Sequence, residues 1–372
     1  MSGNKISVYV VVFLLLLTFA RTSSATSGEF YTSFAQRQAA ETRFKGSVAQ
    51  SRFEMNLRRD GERLSGSYFY IKSGSANHLK LSGTIDGSGK FTLQETDAAG
   101  KQTGEFTGIW AENTNEAGAS LEGEWKKPKD KEAQFFVARE QMIYFARATQ
   151  ISASQVNETI KAKRLEMSAI YPYLTGTANA AGFNRLVKTR VTGELAAFKK
   201  LMMATAAEDL KYLPAGVNNY IDIGYDIEYA DDDLISVSFL RSDFTGGAHP
   251  NYNFLTITYD LKNNREIKLG ELFKPGTKYL GTLSAYAIKD LQSRKDAESG
   301  ENRGLAQDIF ADGAMPKPEN YARWNITKKG LMFTFDPYQV ASYAEGSQSV
   351  MIPYSALKSI ARPDGALAKF MK

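Results

Sequence analysis

The sequence predicts an α+β protein in two parts: a small antiparallel β-barrel-like N-terminal domain, then an α+β domain whose helices lie on one face of a mainly antiparallel sheet. Three observations carry this. Between Arg43 and Arg139, short alternating runs follow one another with turn residues between them and no helical period. Further on, two apolar stripes recur at every third or fourth residue: Phe183, Val187, Val191, Leu195, Phe198 and Met202, then Leu280, Leu283, Ala287 and Leu291. Between those stripes, two long alternating runs enter and leave the corner Leu240-Arg-Ser-Asp-Phe-Thr-Gly-Gly-Ala-His-Pro250.

Taken in order, residues 1–25 are expected to be a secretory signal peptide. Lys5 gives a positive start, Ile6 to Ala20 is almost wholly apolar, and Ser23-Ser-Ala25 is a small-residue cleavage site. The apolar run is shorter than the roughly 20 residues of a membrane span, so cleavage is expected and no stable span after it. The chain is 43% hydrophobic and 23% charged, as soluble globular domains are. Its formal charge of +5 includes Lys5 and Arg21, so two charges leave with the signal; an excess that small does not argue for nucleic acid. There is no cysteine, which excludes disulfides and thiolate chemistry and, for an exported chain, fits a bacterial periplasmic or secreted product.

The β-barrel-like domain is placed at 28–145. One pattern occurs four times in it, at Leu64-Ser-Gly66-Ser-Tyr68, Leu81-Ser-Gly83-Thr-Ile85, Phe106-Thr-Gly108-Ile-Trp110 and Leu121-Glu-Gly123-Glu-Trp125. Alternate strand residues share a face, so each run shows apolar, glycine and large apolar to one side. Either an aromatic fills the gap at the glycine, or the strand bends sharply there, as small barrels require. Two readings follow: a barrel filled by its own side chains, or one whose mouth holds an apolar or glycan ligand with Tyr68, Trp110 or Trp125 as stacking surfaces.

The second domain is placed at 160–372, after a junction at Gln141 to Thr159 where helix formers mix with Ser and Ala. A strand is expected over Arg164 to Leu174, then the long striped helix. A hairpin follows from Asn219 to Leu240 through the acidic turn Tyr229-Ala-Asp-Asp-Asp233. The glycine corner demands special backbone: Gly246 and Gly247 allow positive φ, and Pro250 pushes His249 towards an extended conformation. After the second striped helix come a hairpin through Lys328-Lys-Gly330, a last strand over Ser347 to Ile352, and a short terminal helix from Pro353 through Ile360.

Leu234-Ile-Ser-Val-Ser, Phe244-Thr-Gly-Gly-Ala-His-Pro250, Tyr259-Asp-Leu, Leu269-Gly-Glu-Leu-Phe273, Gly330-Leu-Met-Phe-Thr-Phe-Asp-Pro-Tyr-Gln-Val340 and Val350-Met-Ile-Pro-Tyr354 carry a family resemblance. This C-terminal stretch, roughly Ala162 to Ile360, resembles the extracytoplasmic domain of RsiV, the lysozyme-sensing anti-sigma factor, and the non-catalytic module of PdaC-type peptidoglycan deacetylases. The resemblance implies an envelope-facing binding or sensing fold, and does not extend to the N-terminal β domain. Only five residues precede the apolar run, so signalling across a membrane is not expected, and no Asp- and His-rich deacetylase segment is found.

The residues favour no particular reaction. His78 and His249 are the only histidines, so zinc would lack its usual ligands, and neither a P-loop nor a dinucleotide fingerprint occurs. The expectation is a non-enzymatic periplasmic binding or sensing protein without metal or cofactor, whose partner is a peptidoglycan-related envelope polymer or a lysozyme-like protein. The candidate binding residues are Gly246, Gly247, His249, Tyr338, Trp110 and Trp125. The alternative is an envelope hydrolase that uses His249 with Ser242 or Ser238 and Asp243.

Overall fold

The computed structural model describes residues 41–371 apart from 50, 74–75, 113–117, 147, 205–212, 214–215 and 295–310, so the expected signal at 1–25 lies outside the described residues. Among the described residues, eight strands form a closed antiparallel barrel in chain order: β1 (Glu41–Val48), β2 (Ser51–Asp60), β3 (Arg63–Tyr70), β4 (Leu79–Ile85), β5 (Lys90–Thr96), β6 (Gln102–Glu112), β7 (Ala119–Lys126) and β8 (Gln134–Glu140). Each pairs with its sequence neighbours, and β1 closes on β8.

Closure explains the repeated glycines. A Cβ at Gly66, Gly83, Gly108 or Gly123 would strike the backbone carbonyl of Asn56, Thr92, Glu122 or Thr107 on the adjacent strand. The strands coil so tightly that neighbouring backbone occupies the place of a side chain. Aromatics fill what remains: Phe106 meets Phe136 edge-on at 5.0 Å and Tyr68 at 5.4 Å. Trp110 and Trp125 belong to this core, only 5% and 7% exposed. Buried aromatic and aliphatic side chains from its strands thus form a core inside the barrel.

One carboxylate stands inside it. Glu95, at the end of β5, is 2% exposed and accepts hydrogen bonds from the Tyr68 hydroxyl at 2.6 Å, the Thr103 hydroxyl at 2.5 Å and Trp125 Nε1 at 2.8 Å. Burial, together with the nearby Tyr70 and Glu95, pushes the Tyr68 hydroxyl far above its ordinary pKa, so it remains a donor.

The second part is built on a six-stranded sheet in the order β14-β13-β12-β11-β10-β9: β9 (Gln150–Ile160), β10 (Leu165–Thr175), β11 (Asn219–Ala230), β12 (Leu234–Phe244), β13 (Asn251–Asp260) and β14 (Arg265–Glu266). Its ladders are antiparallel except β10 with β11, which run parallel and need a crossover. The crossover contains α1 (Ala180–Ala204), which buries Ala180, Phe183, Val187, Val191, Leu195, Phe198 and Met202 against Met167, Ile221, Ile223, Val237 and Phe239. Asn184 on α1 fixes the helix to the strand end, accepting from Leu174 N at 2.8 Å and donating to Leu174 O at 2.9 Å.

The other face of the sheet receives a separate three-stranded sheet, β15 (Trp324–Ile326), β16 (Gly330–Phe335) and β17 (Gln348–Pro353), with α2 (Tyr279–Ser293) and the single-turn α3 (Tyr354–Leu357). The alternating hydroxyls of β12 and β13 hold it in place. Ser236 Oγ accepts from Asn325 Nδ2 at 2.9 Å and Ile326 N at 3.0 Å, and Thr256 Oγ1 accepts from Trp324 N at 3.2 Å. Polar side chains on a buried strand face therefore satisfy the backbone of the docking strand.

Three details differ from the sequence expectation. The C-terminal part divides its strands between two sheets instead of one. Residues 150–159, expected within the junction, belong to an edge strand of the larger sheet that runs from Gln150 to Ile160. Residues of β9 are exposed or half-buried throughout, so no strong hydrophobic alternation marked it. The terminal helix stops at Leu357, short of Ile360.

Candidate functional site

The corner between β12 and β13 places four aromatic rings together. Gly246 and Gly247 take φ of 96° and 105°, which turns the chain back without a side chain having to occupy the left-handed region. His249 then lies flat on Tyr343, ring centroids 3.9 Å apart and planes inclined by 20°. Its Nδ1 is 3.0 Å from the Pro250 carbonyl. A carbonyl only accepts, so Nδ1 carries a proton and Nε2 is the nitrogen left to bond outward. The Tyr343 hydroxyl donates to the same carbonyl.

Tyr252 meets Tyr343 edge-on at 5.9 Å and accepts the Ser347 amide at 3.0 Å through its hydroxyl. Burial first, then the adjacent Tyr252 and Tyr338, raise the Tyr343 pKa, so its hydroxyl keeps its proton and remains a donor. Tyr338 extends it outward, 5.6 Å from Tyr343 and 60% exposed. An exposed tyrosine at φ 68° is unusual, and the loop beneath enforces it. Asp336 accepts from Phe254 N at 2.9 Å and pairs with Arg323 Nε at 2.6 Å; burial raises its pKa against the opposing pull of both partners. Gln339 accepts the Asp336 amide at 3.2 Å and donates to the Gly313 and Asn320 carbonyls at 3.0 and 3.1 Å.

The structure brings together Gly246, Gly247, His249 and Tyr338, whereas Trp110 and Trp125 are separate from them inside the barrel. The hydrolytic arrangement does not form: Asp243 pairs with Arg241, and His249 is engaged with Pro250 and Tyr343. Tyr343 and Tyr252 were missed, because nothing local in the sequence marks a tyrosine that becomes a neighbour only when two distant segments dock. Gly247→Val is expected to destabilise the C-terminal part by about 1–3 kcal/mol through its positive φ alone, since no atom lies within 4 Å of a Cβ there. A urea midpoint unchanged from wild type would show that the corner does not need this conformation.

Two family models meet at this ledge. Residues 158–252 match the model described as deacetylase PdaC, and residues 270–355 match DUF3298, a protein family of unknown function. The C-terminal portion carries a PdaC domain and a DUF3298 domain. His249 and Tyr252 come from the PdaC match, Tyr338 and Tyr343 from the DUF3298 match, so the ledge exists only where the two are docked. The chain is 30% identical over 142 residues to the peptidoglycan-N-acetylmuramic acid deacetylase PdaC of Bacillus subtilis, covering 38% of this chain and 29% of that protein. It is 24% identical over 115 residues to the immunogenic protein MPT64 of Mycobacterium tuberculosis, covering 31% of this chain and 46% of that one. A crystal structure of a DUF3298 family member from Bacteroides fragilis aligns with 60% of this chain and 98% of its own, at 20% identity and a TM-score of 0.45. The chain thus spans less than half the length of either curated relative. Among the described residues, no helix is long and apolar enough to cross a membrane, and no group of three or more His, Cys, Asp or Glu is placed to hold a metal.

Proposed function

We propose that this is a non-enzymatic binding protein of the bacterial cell envelope, exported to the periplasm or secreted, and that the PdaC–DUF3298 ledge holds a peptidoglycan-related glycan. One observation carries the reading: Tyr338, largely exposed, is held in a strained conformation beside the Tyr343–His249 stack. Backbone strain of this kind collects where a side chain must be presented to a ligand. Aromatic faces suit the apolar C–H face of a sugar ring, and Nε2 of His249 offers a hydrogen-bonding nitrogen beside them. The relative PdaC is named for acting on N-acetylmuramic acid in peptidoglycan, which favours the same polymer class here.

The test is titration calorimetry of the purified protein with soluble peptidoglycan fragments, beside an assay for their turnover. Tyr338→Ala is expected to weaken binding about tenfold, ~1.4 kcal/mol, and to leave the melting temperature unchanged because the ring is exposed. Unaltered affinity in Tyr338→Ala would remove the ledge from the reading. Turnover by wild type that His249→Gln abolishes with folding preserved would replace a binding protein by a hydrolase. Capture of a lysozyme-like protein with no glycan binding would transfer the site to a protein partner.

A further inference from the structure

Where the barrel meets the six-stranded sheet, a lysine is enclosed. Lys45 points outward from β1 and is 8% exposed, because β11 covers it. Its Nζ donates to the Tyr225 carbonyl at 2.7 Å and lies over the Tyr225 ring. Other charged groups face it from each side. Glu54 on β2 and Arg139 on β8 stand opposite it in register. Arg52 on β2 pairs with Asp222 on β11, and Asp226 lies further along that strand.

Neither nearby carboxylate is committed to the lysine. Asp226 accepts from Gln141 Nε2 at 3.2 Å, and Glu54 accepts from the Tyr225 hydroxyl at 3.4 Å. Tyr225 itself stays a neutral phenol, since burial, helped by the charges of Glu54 and Asp226, pushes its pKa well up. An ammonium here thus loses its water for one carbonyl and one ring face, a poor exchange for a full charge.

The connection between the two parts has the form of a hinge beside this contact. Gln141 N donates to Arg43 O at 2.7 Å on the barrel side, while Gln141 Oε1 accepts from Ile227 N at 2.7 Å on the sheet side. The next residues are fastened to the end of β11, with Ala230 N donating to Met142 O at 2.8 Å and Tyr144 N donating to Ala230 O at 2.7 Å. If the wall of β1 and β2 leaves β11, the strap at 142–144 remains attached and the chain pivots at Gln141.

We propose that this junction is a proton-operated latch: the barrel wall docks on β11 with Lys45 uncharged, and it is released when Lys45 takes up a proton from water on acidification. Burial lowers the pKa of Lys45 from 10.5 to about 7, with Asp226 and Glu54 opposing that shift and Arg52 adding to it. Undocking returns the amine to solvent and to its ordinary value, so between those two pH values the released state binds the extra proton. Docking therefore strengthens as pH rises through this window, by up to about tenfold per unit, and is weakest and flat below about 7. The consequence is a barrel whose attachment to the ledge-bearing part tightens as its surroundings turn alkaline above about 7 and does not change with acidification below it. This is independent of what the ledge binds.

The absence of cysteine allows a direct experiment on the whole protein. Lys127→Cys on the barrel and Lys262→Cys on the sheet, both exposed positions, take a donor and acceptor dye whose energy transfer reports the docked fraction. The docking constant is expected to rise about a hundredfold between about pH 6 and about pH 9 in wild type, and Lys45→Met should abolish that rise. A docked fraction that ignores pH in wild type, or that responds equally in Lys45→Met, overturns the latch. Should Lys45→Met fail to fold, the ε-carbon resonance of Lys45 in wild type decides. A midpoint near 7 supports the proposal, and one near 10.5 overturns it.

Discussion

Gly123→Val is expected to unfold the barrel or to destabilise it by about 3 kcal/mol or more. The added Cβ would strike the Thr107 carbonyl and come within 2.6 Å of the Gly108 Cα, both rigid backbone on the paired strand. Gly108 and Gly123 face each other in register, so relief requires β6 and β7 to separate, which breaks the ladder between Glu105–Glu112 and Ala119–Lys126. No rotamer change helps, because the obstructing atoms belong to backbone. Denaturant unfolding followed by tryptophan fluorescence is the measurement, since Trp110 and Trp125 lie within the barrel core. A midpoint within a few tenths of a kcal/mol of wild type would show that the strands can part freely there and that coiling does not require the glycine.

Glu95→Leu is expected to cost about 3–5 kcal/mol, whereas Glu95→Gln should cost less, ~1–3 kcal/mol. Leucine fills much of the volume but removes the acceptor shared by the Tyr68 hydroxyl, the Thr103 hydroxyl and Trp125 Nε1, leaving buried Trp125 Nε1 without its acceptor and Tyr68 with only the longer bond to the Tyr70 hydroxyl at 3.3 Å. Glutamine retains one acceptor oxygen and sets an amide against a remaining donor. The order of the two variants in thermal unfolding is the check. Equal stability of Glu95→Leu and wild type would mean that removing a buried charge offsets all three lost hydrogen bonds.

Much of this architecture was legible because its signals are periodic. The stripe Phe183, Val187, Val191, Leu195, Phe198 and Met202 is buried on α1 almost without remainder, and the four glycine runs fall on β3, β4, β6 and β7. β9 was not legible, because an edge strand with few buried residues carries little alternation. The splitting of the strands into two sheets was hidden for a related reason. Ser236, Thr256 and Thr258 have the alternation of a solvated polar strand face, yet Ser236 and Thr258 are 0% and 2% exposed: Ser236 Oγ and Thr256 Oγ1 accept from the backbone of β15, and Thr258 Oγ1 is hydrogen-bonded to Ser236 Oγ. The glycine corner announced its own backbone and so located half of the ledge. The remaining half required Tyr343 to cross from a distant segment, and Trp110 and Trp125, attractive as surface aromatics, are core residues.

The closed barrel also dictates an order of events as the chain is made. Every ladder in it joins sequence neighbours except the one between β1 and β8. Hairpins of neighbouring strands form in about 1–10 μs once both strands are present. The closing ladder must wait for Gln134–Glu140, the final strand to emerge, and must then bring together ends separated by the whole domain, at a loop-closure cost that grows with the logarithm of its length. Until that moment β1 has one bare edge, with Phe44 and Val48 on a face that has no lid. The folding time of the barrel, and its exposure to wrong partners during that time, are therefore set at the seam between its first and last strands.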